Sequence, residues 1–195
     1  MRTAVLISGR GSNLEAILRA EKVNRLGSAD VCIIISNNPD ALGLKIAEDF
    51  GKKTAIVTKN EGENEIIKLL GEEKIEIVVL AGFMQILTQK FIDEYPNRII
   101  NIHPSLLPSF PGLRAQKQAF NAGVKITGCT AHFVNEEVDG GPIILQKAVE
   151  VSENDTEEEL TAKILKEEHL LLPKAISLLS SGKLEVIGRK VRIVD

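Results

Sequence analysis

The chain has 195 residues, of which 44% are apolar and 26% are charged, and its formal net charge is −3. This composition is typical of a globular protein and excludes a disordered polymer, because enough apolar side chains are present to form a core. The slight acidity and the lack of a Lys/Arg cluster argue against a nucleic-acid partner, and no apolar run reaches the roughly 18–20 residues of a membrane span.

The cysteine content indicates the cellular compartment in which the protein folds. The two cysteines, Cys32 and Cys129, lie in apolar runs, and no signal-peptide pattern precedes the first predicted strand. We therefore expect a cytoplasmic protein without disulfide bonds or a membrane partner.

The first half of the chain alternates between strand-like apolar runs and helical periodicity. Strands are predicted over Thr3–Ser8, Val31–Ser36, Thr54–Val57, Ile75–Ala81 and Arg98–Ile102, and helices from Leu14, from about Ala41, and over Glu63–Gly71 and Thr88–Glu94. A continuous apolar strand such as Ile77–Leu80 is typical of a parallel sheet that helices cover on both faces. The pattern predicts an α/β fold with a doubly wound, mostly parallel sheet and a Rossmann-like N-terminal half.

A proline-rich loop opens the second half. Pro104, Pro108, Pro111 and Gly112 crowd into nine residues, so neither a helix nor a strand can run through them. Beyond the loop we predict a helix over Ala115–Asn121, strands over Ile126–Val134 and Ile143–Val151, a helix over Thr156–Leu179, and a hairpin or tail over Leu184–Val194. Because no flexible linker is present, we expect one domain over 1–195, with halves of about 1–100 and 101–195 that share one sheet.

The glycine-rich turn Gly9–Asn13 joins the first predicted strand to the first helix. Free backbone N–H groups and the positive end of a helix favour an anion there. Leu14 replaces the third glycine of a dinucleotide fingerprint, and no Gly-Lys-Ser/Thr follows, so the turn suits one small phosphate. The alternative is a helix cap in which Ser12 or Asn13 only satisfies the helix amides.

A second motif, Asn101-Ile102-His103, stands where a predicted strand ends and the proline loop begins. Strand periodicity places Asn101 and His103 on one face, where an amide donor and an imidazole suit acyl chemistry. Asp139 lies in a later turn, and it would raise the pKa of the His103 imidazole if the fold brings the two together. The alternative for His103 is a histidine that only hydrogen-bonds the strand end.

The other two histidines, His132 and His169, have no partner at zinc-ligand spacing, so we expect no metal. His132 alternates with Thr130 and Val134 on a predicted strand, which favours a partly buried, hydrogen-bonded histidine. A serine nucleophile is not indicated, because the chain has no Gly-x-Ser-x-Gly elbow.

Together these segments resemble the phosphoribosylglycinamide formyltransferases, the folate-dependent enzymes of purine biosynthesis. The resemblance runs over nearly the whole chain and is carried, in this order, by Ile7–Leu14, Val79–Met84, Asn101–Pro108, His132–Val134 and Asp139–Pro142. It implies two small-molecule substrates, glycinamide ribonucleotide and the co-substrate 10-formyltetrahydrofolate, and a monomer or homodimer. It also implies a cis peptide bond at Leu107-Pro108.

The resemblance assigns site residues as well. The ribose phosphate would be bound by Gly11, Ser12 and Asn13, with Glu168 near the ribose and glycinamide end. The folate would be bound by Lys59, Met84, Gln85, Ile86, Leu87, Asn101, Asn135, Glu136, Glu137, Val138 and Asp139, where Gln85 replaces an arginine that relatives often carry. The catalytic set would be Asn101, His103 and Asp139, with protonated His103 and Asn101 stabilising the oxyanion of a direct transfer.

Three alternatives remain at this point. Methionyl-tRNA formyltransferases and formyltetrahydrofolate hydrolases are similar at the Asn-x-His and Asp positions, but the first normally adds a nucleic-acid-binding domain and the second a regulatory domain. A non-catalytic sugar-phosphate or folate sensor would keep the binding pockets but has no need of Asn101, His103 and Asp139 together. We therefore expect the transferase that makes formylated glycinamide ribonucleotide.

Overall fold

The computed structural model describes residues 1–58 and 62–194, and these residues contain six helices and nine strands. The strands are β1 (Arg2–Ile7), β2 (Asp30–Ser36), β3 (Lys53–Ile56), β4 (Ile77–Leu80), β5 (Ile99–His103), β6 (Ile126–Phe133), β7 (Ile143–Glu150), β8 (Leu184–Ile187) and β9 (Lys190–Ile193). The helices are α1 (Ser12–Lys22), α2 (Leu42–Asp49), α3 (Glu63–Glu72), α4 (Gln89–Glu94), α5 (Ala115–Asn121) and α6 (Glu157–Ser180).

The described strands form a single sheet in the order β3-β2-β1-β4-β5-β6-β7-β9-β8. Every pair from β3 to β5 is parallel, whereas β6 is antiparallel to both β5 and β7. The C-terminal hairpin of β8 and β9 joins the far edge through one parallel bridge between Ile143 and Lys190. The α/β class and the shared sheet are therefore confirmed, and the C-terminal half of the sheet is mainly antiparallel.

Two apolar layers cover the sheet because strand side chains alternate between its faces. On one face Val5 and Val79 pack with the apolar sides of α1, α2 and α6. On the other face Leu6 and Val78 pack with α3 and α4. Burial on both faces explains why β4 is apolar throughout its length and β1 is apolar from Ala4 to Ile7.

The carboxyl ends of β1, β4 and β5 lie at one edge of the sheet, and the chain order of the strands reverses between β1 and β4. Ligands bind at such switch points in open α/β sheets. The loops that follow β1 and β4 meet there, since the Met84 backbone N–H donates to Ser8 Oγ at 2.7 Å. Helix α6 begins with a capping box formed by Thr156 and Glu159 and brings Glu168 to the same edge.

No helix among residues 1–58 and 62–194 is both long enough and apolar enough to cross a membrane.

Candidate active site

A cavity of about 740 Å³ opens at this edge of the sheet. Its lining includes every predicted site residue that the structure describes, namely Gly11, Ser12, Asn13, Met84, Gln85, Ile86, Leu87, Asn101, His103, Asn135, Glu136, Glu137, Val138, Asp139 and Glu168. Lys59 lies outside the described residues. The sheet thus brings the glycine-rich turn, the end of β5 and the turn of Asp139 into one space.

The glycine-rich turn ends at Gly11, whose φ of +78° is left-handed, and α1 begins at Ser12. No side chain of the described residues caps α1, so the alternative of a simple side-chain cap is wrong. Helix α2 packs closely on the turn, because a Cβ added at Gly11 would lie 2.5 Å from Gly43 Cα. The turn therefore presents backbone N–H groups at the positive end of a helix, as an anion site requires.

The side chain of Asn13 faces a carboxylate. Its Nδ2 donates to Glu168 Oε2 at 2.7 Å, and Glu168 is only 5% exposed. Burial raises the pKa of Glu168, and the hydrogen bond from Asn13 opposes that effect. Asn13 Oδ1 is buried without a hydrogen-bond partner among the described residues. In this arrangement the side-chain amide orients Glu168, and the backbone N–H remains for the anion.

The three predicted catalytic residues are in contact. His103 Nδ1 lies 3.2 Å from Asp139 Oδ2, and Asn101 Nδ2 lies 3.5 Å from Asp139 Oδ1. The Gly112 N–H donates to Asp139 Oδ2 at 2.7 Å, which ties the proline-rich loop to the same carboxylate. The sequence alone left this proximity open.

Asp139 remains ionised in this setting. Burial alone would raise the pKa of Asp139, but the neighbouring His132, the hydrogen bond from the Gly112 N–H and the nearby His103 hold it below its ordinary value. The carboxylate can therefore stabilise a positive charge on His103.

Burial and hydrogen bonding act on His103 in opposite directions. It is 5% exposed, and burial lowers its pKa, although hydrogen bonding to the Phe110 carbonyl and the charge of Asp139 both raise it. The predicted effect of Asp139 thus has the expected sign but is outweighed. Nε2 of His103 lies 2.9 Å from the Phe110 carbonyl oxygen, so acceptors face both ring nitrogens and favour the imidazolium. The protonated His103 of the catalytic set stays a prediction.

His132 is a residue of the site whose position the sequence did not reveal. It is 2% exposed and pairs directly with Asn101 in the antiparallel register of β5 and β6. Its Nε2 lies 3.2 Å from Asn101 Nδ2, and its Nδ1 lies 2.8 Å from the Phe133 carbonyl oxygen. The expectation of a hydrogen-bonded histidine is confirmed. Its hydrogen-bond partner is the site residue Asn101, and only the register of β5 and β6 shows that the two are paired.

The mouth of the cavity is apolar. Met84 and Ile86 are 67% and 74% exposed, and Val138 is exposed on the facing loop. Such exposed apolar side chains suit a flat aromatic ligand that would cover them. Among the described residues, no cluster of three or more His, Cys, Asp or Glu side chains is arranged to hold a metal ion.

The chain matches the formyl transferase family over residues 1–176. It is 41% identical to the phosphoribosylglycinamide formyltransferase of Escherichia coli (strain K12), over 95% of this chain and 90% of that protein. It is 44% identical to the trifunctional purine biosynthetic protein adenosine-3 of Drosophila melanogaster, over 93% of this chain. That alignment spans only 14% of the trifunctional protein.

Solved structures are similar over the whole chain. The glycinamide ribonucleotide transformylase 1 of Symbiobacterium toebii superposes with a TM-score of 0.96 and 45% identity, covering 100% of this chain and 94% of that one. A formyltetrahydrofolate deformylase from Pseudomonas syringae pv. tomato gives 0.92 and 31%, covering 100% of this chain and 66% of that one. The fold thus occurs in proteins named for a transferase and for a hydrolase.

Proposed function

Since the chain belongs to the formyl transferase family, we propose that it transfers the formyl group of 10-formyltetrahydrofolate to the amine of N1-(5-phospho-D-ribosyl)glycinamide. The products are the N-formyl ribonucleotide and tetrahydrofolate, in purine biosynthesis. The proposal treats 1–195 as one catalytic domain and carries over none of the other activities of the trifunctional relatives. The observation that supports it best is the single cavity that joins an open anion-binding turn to Asn101, His103 and Asp139.

The ribonucleotide phosphate is assigned to the backbone N–H groups of Ser12 and Asn13. The first turn of α1 has no side-chain cap among the described residues, so these donors are free for an anion. Glu168 borders the same part of the cavity and can accept hydrogen bonds from ribose hydroxyls or from the glycinamide end.

The folate is assigned to the apolar mouth. Met84, Ile86 and Val138 offer the exposed apolar surface that a pterin ring would cover. The bound co-substrate supplies the formyl carbon and its leaving nitrogen.

The role of His103 follows from its geometry, because acceptors face both of its ring nitrogens and favour the imidazolium. As the amine nitrogen bonds to the formyl carbon, protonated His103 and the Asn101 amide stabilise the oxyanion that develops, and the ionised Asp139 at 3.2 Å keeps the imidazole charged. The proton that the amine loses passes, directly or through water, to the nitrogen whose bond to the formyl carbon breaks.

The deciding experiment is a spectroscopic assay of tetrahydrofolate release with and without glycinamide ribonucleotide. We expect release only when the ribonucleotide is present, and loss of release in Asn101→Ala. Release at the same rate without ribonucleotide would instead identify a hydrolase, which the similarity to the deformylase makes the second candidate. The glycine-rich turn, whose backbone N–H groups are open to an anion, favours the transferase. A transferase that acts on glycinamide ribonucleotide uses this turn to bind the phosphate of its acceptor.

A further inference from the structure

We propose that His132 is a positioning residue that sets the orientation of the Asn101 amide through a neutral imidazole with its acceptor nitrogen on Nε2. The inference rests on the proposed function, because it assigns Asn101 to the oxyanion. It assigns a role to a residue that the sequence predicted only as a partly buried, hydrogen-bonded histidine on a strand.

The tautomer follows from the partner of Nδ1. The Phe133 carbonyl oxygen, 2.8 Å away, can only accept a hydrogen bond, so Nδ1 carries the proton. In the neutral ring Nε2 is then an acceptor. Its nearest neighbour is the Asn101 Nδ2 donor at 3.2 Å, whereas Asp139 Oδ1 lies farther away at 3.7 Å, so the pair of Asn101 and His132 is complementary.

The orientation of Asn101 follows from its two neighbours. Its Nδ2 lies between two acceptors, His132 Nε2 and Asp139 Oδ1, at 3.2 and 3.5 Å. A flipped amide would place its carbonyl oxygen against the Asp139 carboxylate, which is electrostatically unfavourable. The imidazole and the carboxylate therefore fix which end of the amide is the donor.

The two contacts of Nδ2 differ in length, and the difference has a catalytic consequence. The contact with His132 is the shorter, so one N–H is held by the imidazole. The second N–H spans the longer 3.5 Å contact with Asp139 and is the one available to an oxyanion. His132 borders the cavity but is only 2% exposed, and its Nε2 faces Asn101, so we assign it an action through Asn101.

The test compares two substitutions, each of which places a side-chain amide where one of the two ring nitrogens of His132 stands. In His132→Asn the side-chain amide reaches the position of Nδ1 and can keep the bond to Phe133, but it has no atom at Nε2. In His132→Gln the amide reaches the position of Nε2 and can accept from Asn101. We expect His132→Asn to lower kcat by roughly tenfold, the effect of about one hydrogen bond, with both KM values close to wild type. His132→Gln should recover much of that loss.

A double-mutant cycle separates positioning from structural support. In an Asn101→Ala background, His132→Asn should cause no further loss of kcat, because the group that it orients is gone. A full additional loss in that background, or a wild-type kcat in His132→Asn, would overturn the inference and leave the proposed function intact. If neither wild type nor any variant transfers the formyl group, the proposed function itself has failed.

The tautomer offers a readout that needs no activity. Long-range ¹H–¹⁵N NMR spectra of the folded protein should show His132 as the neutral form protonated on Nδ1. A neutral form protonated on Nε2 would contradict the proposal, since that nitrogen would then be a donor facing the Asn101 donor.

Discussion

Replacing Gly11 with alanine is expected to damage the anion-binding turn and to weaken binding of the ribonucleotide. The φ of +78° at this position costs an alanine about 1–2 kcal/mol. The added Cβ would also lie 2.5 Å from Gly43 Cα and 3.2 Å from Ile46 Cδ1. Carbon atoms normally approach to about 3.5–4.0 Å, so α2 or the turn must move by about 1 Å.

Such overpacking costs about 1–3 kcal/mol in addition to the backbone strain. The total of roughly 2–5 kcal/mol corresponds to a Tm lower by roughly 4–20 °C in a protein of this size. Because the N–H groups of Ser12 and Asn13 move with the turn, KM for the ribonucleotide should rise about tenfold or more, as loss of one charge-assisted hydrogen bond would cause. KM for the folate should change little.

Gly9→Ala is the matched control for stability, since Gly9 stands two residues earlier and a Cβ there meets no protein atom within 4 Å. It should keep the wild-type Tm. The assay is steady-state kinetics with each substrate varied in turn, together with thermal unfolding. A Gly11→Ala protein with a lowered Tm but an unchanged KM for the ribonucleotide would show that the phosphate binds elsewhere.

Three further substitutions test the remaining assignments. Asn101→Ala should lower kcat by roughly 10²–10³, the usual effect of removing one oxyanion donor, and a loss under about threefold in a folded variant would mark Asn101 as structural. Asp139→Asn should lower the pKa of His103 further, because it removes a charge that raises this pKa, so residual activity should shift toward acid. An NMR titration in which that pKa is unchanged or higher would refute the coupling. Asn13→Leu should raise KM for the ribonucleotide by releasing Glu168, while an effect on KM for the folate alone would show that the two pockets are exchanged.

Local patterns were enough for the elements and for much of the site. The apolar runs at β1 and β4 and the turn before α1 predicted a parallel sheet with an anion site, because each signal lies within about ten residues of chain. The alternation at Asn101 and His103 predicted a shared face, since a strand has a fixed period. Apolar runs, turn residues and strand periodicity can all be read from the sequence itself.

The features that the sequence could not predict depend on contacts between residues that lie far apart in the chain. The role of His132 needs the register that sets it opposite Asn101, and nothing local encodes that register. The pKa of His103 depends on its burial, which lowers it, and on the Phe110 carbonyl that the proline-rich loop places 2.9 Å from Nε2, which raises it. The side-chain partner of Asn13 likewise lies 155 residues away on α6.

The most direct test of the central claim follows the formyl carbon itself. The protein is incubated with 10-formyltetrahydrofolate labelled with ¹³C in the formyl group and with glycinamide ribonucleotide, and the label is located by ¹³C NMR. We expect the label on the amide nitrogen of the formylated ribonucleotide, in an amount equal to the tetrahydrofolate released. Label that appears as free formate, or that stays on the folate while the ribonucleotide remains unmodified, would contradict formyl transfer.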